Sequence, residues 1–205
     1  MKIRILLAVS FVVGLVVLTG CDSSKPKAVG TPEHLTIGTY SGDLSALLWI
    51  AKDRGYFSEH GLDVQFKIRE SGLMSLRDLV AREVDLATVS EFVFVSDIFK
   101  QPDLRVLSVV AQNNSVKLVA RKDHGITQMS DLNNKRIGLV RDSMAGYYLD
   151  RLLMLHQIPG QDVQIVDMPP SEEVKAISQG DIDAAVVWEP FATQMQKELG
   201  TNGVS

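Results

Sequence analysis

Residues 180–190, GDIDAAVVWEP, close a helical pattern at Gly180, place an acidic residue at the turn, and run straight into a short apolar stretch. The same arrangement occurs upstream at residues 82–92, REVDLATVSEF. Short, nearly all-apolar runs bounded by turns are what strands covered on both faces look like. Asp85 and Asp183 each stand where a helix stops and such a strand begins, a place where a carboxylate accepts hydrogen bonds from backbone N–H groups of the turn. The repeat therefore reports architecture: two similar units, with no chemistry assigned to either aspartate.

Working outward, strand and helix patterns alternate along the chain. LTIGTY (35–40) alternates like a strand, and LSALLWIAKDRGYF (44–57) repeats apolar positions at helical spacing through Leu44, Leu47, Leu48, Ala51 and Phe57. A strand in GLDVQFKIR, a helix in LMSLRDLVARE and a strand in VDLATVS follow. LRVLSVVAQ (104–112) and VKLVARKD (116–123) are predicted as further strands on either side of NNS. The alternation then resumes with strand KRIGLVR, helix AGYYLDRLLMLHQ, strand DVQIVDM, helix SEEVKAISQG, strand IDAAVVW and a helix from Pro190 to about Leu199. This order predicts an α/β protein with mostly parallel sheets, divided into a first lobe over 34–112 and a second over 113–205.

The N-terminus stands apart. Lys2 and Arg4 precede an apolar stretch from Ile5 to Leu18, shorter than the roughly 20 residues of a membrane span, and LTGC places small residues before the chain's one cysteine. Residues 1–21 resemble a bacterial lipoprotein signal peptide with its lipobox. That resemblance implies a lipid anchor on Cys21 and a location on the periplasmic side of the cell membrane, or the extracellular face in a Gram-positive host. Two or more acyl chains suffice for stable anchoring. Asp22 resembles the enterobacterial signal for retention in the inner membrane. Residues 22–33 are rich in Ser, Pro, Lys and Gly without apolar periodicity, as a flexible tether is. With one cysteine, disulfides cannot hold the domain, so a hydrophobic core must. The chain carries 21 Lys and Arg against 25 Asp and Glu. That balance argues against nucleic acid as a partner of the folded part.

In open α/β sheets, ligands sit beyond the C-terminal ends of strands, where loops lead into helix N-termini. Six loops qualify: TYSGDLS with Tyr40, Ser41, Gly42 and Asp43; ESGLMS with Ser71 and Gly72; SEF with Ser90 and Glu91; RDSMAGYY with Asp142, Ser143, Met144 and Tyr147; DMPPSEE with Met168 and Pro169; and WEP with Trp188 and Glu189. Each has an ordinary alternative, since Ser, Asp and Gly before a helix are common caps and Trp188 can be plain core. Only Arg69 and Arg141, at loop edges, supply guanidinium groups, whereas Asp43, Glu91, Asp142 and Glu189 make the rim acidic. Aromatic Tyr40, Phe92, Tyr147 and Trp188 can stack on a ring or a cation. The combination favours an organic solute bearing a donor group over a simple inorganic anion.

Four stretches, GTYSGDLSALLWIAKDRGYFSEHGLDVQF, LRDLVAREVDLATVSEF, MSDLNNKRIGLVRDSMAGYYLDRLL and GDIDAAVVWEPF, resemble in order the solute-binding proteins of ABC importers in the nitrate, sulfonate, taurine and thiamine-precursor group. The resemblance runs from about Leu35 to Leu199. It implies a type II periplasmic-binding-protein fold of two lobes closing on a small solute, delivery to an ABC permease, a monomer, no cofactor and no metal. It also implies ligand contacts from Tyr40, Ser41, Gly42, Ser71, Gly72, Ser143 and Tyr147, and a hinge near Ala111 to Val116. In that group the chain returns to the first lobe after the WEPF segment, so a chain ending at Ser205 is expected to leave that lobe incomplete. Two other functions share part of this pattern. A pyrimidine synthase of thiamine biosynthesis shares the fold, but its cysteine-rich motif is missing and His34, His60, His124 and His156 are scattered. A sensory module reporting to a receptor or kinase uses similar surfaces, and the sequence does not separate it from a carrier.

Overall fold

The structure is a computed structural model that describes residues 30–112 and 114–205. The expected signal segment, with Cys21, and most of the expected tether lie outside the described residues.

Among the described residues, eight strands form two sheets. The first lobe holds β1 (Glu33–Tyr40), β2 (Leu62–Arg69) and β3 (Leu86–Ala87) in the order β2-β1-β3, all parallel. The second holds β4 (Lys117–Arg121), β5 (Arg136–Leu139), β6 (Gln164–Asp167), β7 (Ala184–Val187) and β8 (Gly203–Val204) in the order β6-β5-β7-β4-β8. There β6, β5 and β7 run parallel, and β4 is antiparallel to both β7 and β8. The α-helices among the described residues are α1 (Ala46–Asp53), α2 (Tyr56–Glu59), α3 (Gly72–Val80), α4 (Glu91–Ile98), α5 (Met144–Leu155), α6 (Pro170–Gln179) and α7 (Phe191–Leu199).

Period-two alternation explains the second lobe's layers. On β7, Ala184 and Val186 face the side covered by Ala145, Leu149 and Leu153 of α5, which recur every four residues. Ala185 and Val187 face the other side, against Val174 and Ile177 of α6 and Ala192, Met195 and Leu199 of α7. All four β7 residues are fully buried, as the continuous apolar run requires. The first lobe's own core is smaller, built on Leu73, Leu76 and Val93. Its helix α1 buries no residue completely and leaves Leu47 and Ile50 about half exposed at 57% and 49%. Trp49 packs edge-on to Phe66 at 4.7 Å, and Lys52 sits over the same ring while its Nζ donates to the Val64 carbonyl.

Three expectations need correction. Residues 104–112 form no ladder among the described residues, with Leu107 and Val109 75% and 80% exposed. Their β-branched composition satisfies a strand's local preference, but a strand also needs a neighbour to receive its N–H and C=O groups. The helix expected over 44–57 breaks at Gly55, whose left-handed backbone (φ 73°) ends α1 and starts α2 at a new angle. The third strand is two residues long, because β1 gives it pairing only at Ile37 and Gly38.

The aspartate repeat has one geometry in both lobes. Asp85 donates its N–H to the Thr36 carbonyl and accepts the Thr36 N–H on Oδ2 at 2.8 Å. Asp183 donates its N–H to the Arg136 carbonyl and accepts the Arg136 N–H on Oδ2, also at 2.8 Å. Each carboxylate thus ties the start of one strand to the strand beside it, at the sheet end opposite the loops that follow the strands.

Candidate functional site

The strand C-termini of the two lobes meet. Tyr40, at the end of β1, is 8% exposed and packs in one cluster with Leu139, Ala145 and Trp188 of the second lobe. Its hydroxyl donates to Asp43 at 3.3 Å, and burial pushes it up to about 12. Gly42 is buried where a Cβ would overlap the Tyr40 ring and lie 2.9 Å from the Glu189 carbonyl oxygen. The first loop thus approaches the last one so closely that a side chain there has no room. Beneath it the Thr39 hydroxyl bridges those of Ser45 and Thr88 at 2.7 and 2.8 Å.

Beside this contact lies a cavity of about 260 Å³ lined by Ser41, Ile68, Arg69, Glu70 and Met74 of the first lobe and Phe191 of the second. It is smaller than the roughly 300–1,000 Å³ that drug-sized ligands occupy. A larger hollow of about 510 Å³ on the second lobe, near Val116, Gln128 and Val204, is reached by the six loops only at Tyr148, the last residue of RDSMAGYY, and has no residue of the first lobe in its wall. The smaller one receives residues from both lobes and is the better candidate for a closing cleft.

Several candidate residues are occupied by local structure. Ser71 is buried and caps α3, accepting from the Met74 N–H at 3.2 Å. Ser143 caps α5 through the Ala145 N–H and donates to the Val140 carbonyl. Gly72 lies against Thr88 and Val89, where an added Cβ would come within 3.1 Å of each. Ser90 precedes α4 without a side-chain cap bond, and Glu91 and Asp142 are exposed. Tyr147 is 43% exposed and stacks on Phe92 of the other lobe at 5.0 Å, with Arg151 on the same ring. Glu189 accepts from the Thr193 N–H at 3.0 Å and pairs with Lys117 at 3.3 Å. Burial works against its charge, but those partners outweigh burial and hold it below its ordinary range. The Arg69 guanidinium is engaged by Asp78 through two bonds of 2.6 and 3.0 Å, so it is not a free anion receptor.

Glu70 and Ser171 also meet at the contact between the lobes, although no motif in the sequence singles them out. Glu70 accepts the Ser171 N–H and hydroxyl from the second lobe at 3.1 and 3.0 Å, and its carbonyl accepts the Trp188 indole N–H at 3.3 Å. One local signal existed: Pro169-Pro170 opens α6 without a side-chain cap, so an acceptor must come from elsewhere. Glu173, in the same helix turn, is fully buried, and neither of its carboxyl oxygens has a partner in the protein. Among the described residues no group of three or more His, Cys, Asp or Glu is placed to hold a metal ion, and no helix is long and apolar enough to cross a membrane.

Two α/β lobes meeting at their loop ends, one sheet parallel and the other mixed, define the periplasmic-binding-protein class of fold, and known proteins agree. The NMT1/THI5-like family model matches residues 45–202, and the chain belongs to that family. A Brucella abortus protein described as a binding protein is 26% identical over 97% of this chain and 59% of its own length. The taurine-binding periplasmic protein of Escherichia coli is 28% identical over 71% of this chain and 45% of its own. Among solved structures, the alkanesulfonate-binding protein SsuA of Xanthomonas axonopodis pv. citri bound to MOPS shares the fold with a TM-score of 0.68 at 19% identity, over 86% of this chain and 61% of that one. The chain thus spans less than two thirds of the length of these relatives.

Proposed function

We propose that the chain is the solute-binding part of an ABC import system, taking a small organic solute between its lobes and presenting it to a membrane permease without chemical change. The observation that carries this is the cavity lined from both lobes, flanked by the Gly42–Glu189 approach and the Phe92–Tyr147 stack. A solute there gains its second set of contacts only when the lobes come together, which is how differential affinity drives closure. Lobe 1 runs over 34–112 and lobe 2 over 113–205, with the hinge near Ala111 to Val116. The loops bearing Tyr40, Ser41, Gly42, Asp43, Ser71, Gly72, Ser90, Glu91, Asp142, Ser143, Tyr147, Trp188 and Glu189 surround the solute. Of these, Ser41 reaches the cavity wall directly. Acidic groups and aromatic rings around the cleft, together with the taurine-binding relative, favour an amine-bearing sulfonate or an aminopyrimidine over nitrate. A lipid on Cys21 holds the protein at the membrane.

The test is thermal unfolding of the chain against taurine, alkanesulfonates, nitrate and the aminopyrimidine precursor of thiamine. A solute bound only by the folded form raises the melting temperature with its concentration. A cooperative transition that no solute in the panel shifts would overturn the assignment of this ligand class. Fatty-acid labelling that survives Cys21→Ser would remove the lipid anchor from the proposal.

A further inference from the structure

We propose that Glu70 is the closing latch of the cleft, a residue of the first lobe whose carboxylate caps helix α6 of the second and reserves that helix end against outside anions. The inference rests on the reading of the cleft as a closing solute site and assigns a positioning role within it.

Helix α6 cannot cap itself. Pro169 occupies the cap position and carries no side-chain oxygen, and Pro170, the first helical residue, has no N–H. The N–H groups of Glu172 and Glu173 both turn back to the Pro169 carbonyl. Ser171 therefore presents the first free donors of the helix, an N–H and a hydroxyl, and both go to Glu70 at 3.1 and 3.0 Å. The bond pair spans 101 residues of sequence and joins the end of β2 in one lobe to the start of α6 in the other. It is doubled by the Trp188 indole, which donates to the Glu70 carbonyl. Both halves of one residue are thus held by the opposite lobe, the side chain at a helix N-terminus and the main chain at the last loop.

A carboxylate at a helix N-terminus satisfies orphan donors and the positive end of the helix dipole together. A sulfonate or carboxylate from solution would seek the same donors. With Glu70 seated there, a solute's anionic group is turned away from α6, and the end of the cavity formed by Glu70 faces a cationic or hydrogen-donating group. Removing the Glu70 carboxylate exposes the Ser171 donors, frees the lobes to part, and makes closure responsive to small anions.

The chain contains two tryptophans, so Trp49→Phe leaves Trp188, which is 8% exposed, as the sole fluorescent reporter of the lobe contact. In that background the parent is expected to show blue-shifted emission, weak acrylamide quenching, and no response to millimolar acetate. E70A should raise quenching several-fold, and acetate should restore it by supplying the missing carboxylate. S171P, which removes the N–H and hydroxyl at a helix position that tolerates proline, should raise quenching to the same level without acetate rescue. The E70A/S171P double variant should match the singles. E70Q, which keeps one acceptor oxygen, should fall between parent and E70A, and it decides the matter if E70A loses its cooperative melt. Unchanged quenching in the folded variants, or an E70A defect that acetate does not reverse, would overturn the latch. Because every reading is taken without solute, the latch can fail while solute binding stands, and the reverse.

Discussion

Asp85 and Asp183 occupy one and the same post in the two lobes: each exchanges a main-chain hydrogen bond with a neighbouring strand and accepts that strand's N–H on its carboxylate at 2.8 Å. Their surroundings differ. Asp85 is exposed, whereas Asp183 is 8% exposed and also receives the Arg136 Nε and Nη2 at 3.1 and 2.7 Å and meets the His124 ring at 2.7 Å.

From that difference, Asp85→Asn and Asp183→Asn should part company. An asparagine at 85 keeps an oxygen for Thr36, so the cost should stay under about 1 kcal/mol. At 183 the amide cannot serve Arg136 and His124 together, and the loss of charge-assisted bonds should cost about 2–3 kcal/mol. Urea unfolding at neutral pH measures both. Equal losses would show that the extra partners of Asp183 contribute nothing.

Acid should erase the same advantage. Burial alone would raise the Asp183 carboxyl, but hydrogen bonds from the Arg136 side chain and N–H and from His124 outweigh it and hold the group well below the usual range. A lowered folded value means the stabilisation is complete above the unfolded value of about 4 and drains away as pH falls below it. Melting temperatures of the parent and Asp183→Asn should therefore converge between about pH 4 and lower. A constant gap would show that the carboxylate's ionisation is not what stabilises.

Glu173 runs the opposite way. Burial first, then the carboxylates of Asp167 and Glu70, push it from its ordinary 4.5 up to about 9. The folded protein thus holds a proton that the unfolded chain releases, so its contribution is full below 4.5 and is lost as pH rises toward 9. Glu173→Met, of similar size and without charge, should be more stable than the parent by about 2 kcal/mol at pH 8. The gain should shrink toward pH 5. Parallel stability profiles for parent and variant across that range would refute a buried, protonated Glu173.

Gly42→Ala tests the contact between first and last loops. The new methyl overlaps the Tyr40 ring and crowds the Glu189 carbonyl, so the ring must leave its buried place or the loop must withdraw. Overpacking of this kind costs about 1–3 kcal/mol, and solute affinity should fall by roughly tenfold or more. Calorimetry with a solute identified by thermal shift reports both. An alanine that leaves stability and affinity alone would remove this loop from the closing contact.

Leu107 and Val109 lie open in the last stretch of the first lobe, 75% and 80% exposed. Replacing both with Lys should change stability by no more than about 0.5 kcal/mol, because no packing is lost. It should reduce self-association, because exposed apolar, β-prone segments pair with other chains. Light scattering against concentration checks the second point and thermal unfolding the first. A large destabilisation would mean these side chains are packed in solution.

Much of the architecture was written locally. The buried β7 was legible because apolar residues crowd between two turn signals, and α5 because Ala145, Leu149 and Leu153 recur at helical spacing behind the capping Ser143. The repeated aspartate was legible as a structural device because a carboxylate at a helix-to-strand turn has one ordinary use, and the structure adds only which N–H groups it takes. What the sequence by itself determined is therefore the strand and helix alternation outside residues 104–112 and the two-lobed α/β class. Tertiary structure alone decided that residues 104–112 pair with nothing among the described residues, since a strand is a relation between two segments and composition describes only one. It alone decided that Tyr40 is shared core, that Arg69 is consumed by Asp78, and that Glu70 meets Ser171 across 101 residues. Hydrogen bonds and burial depend on distances in space, and a local pattern carries no information about which distant group will arrive at the other end.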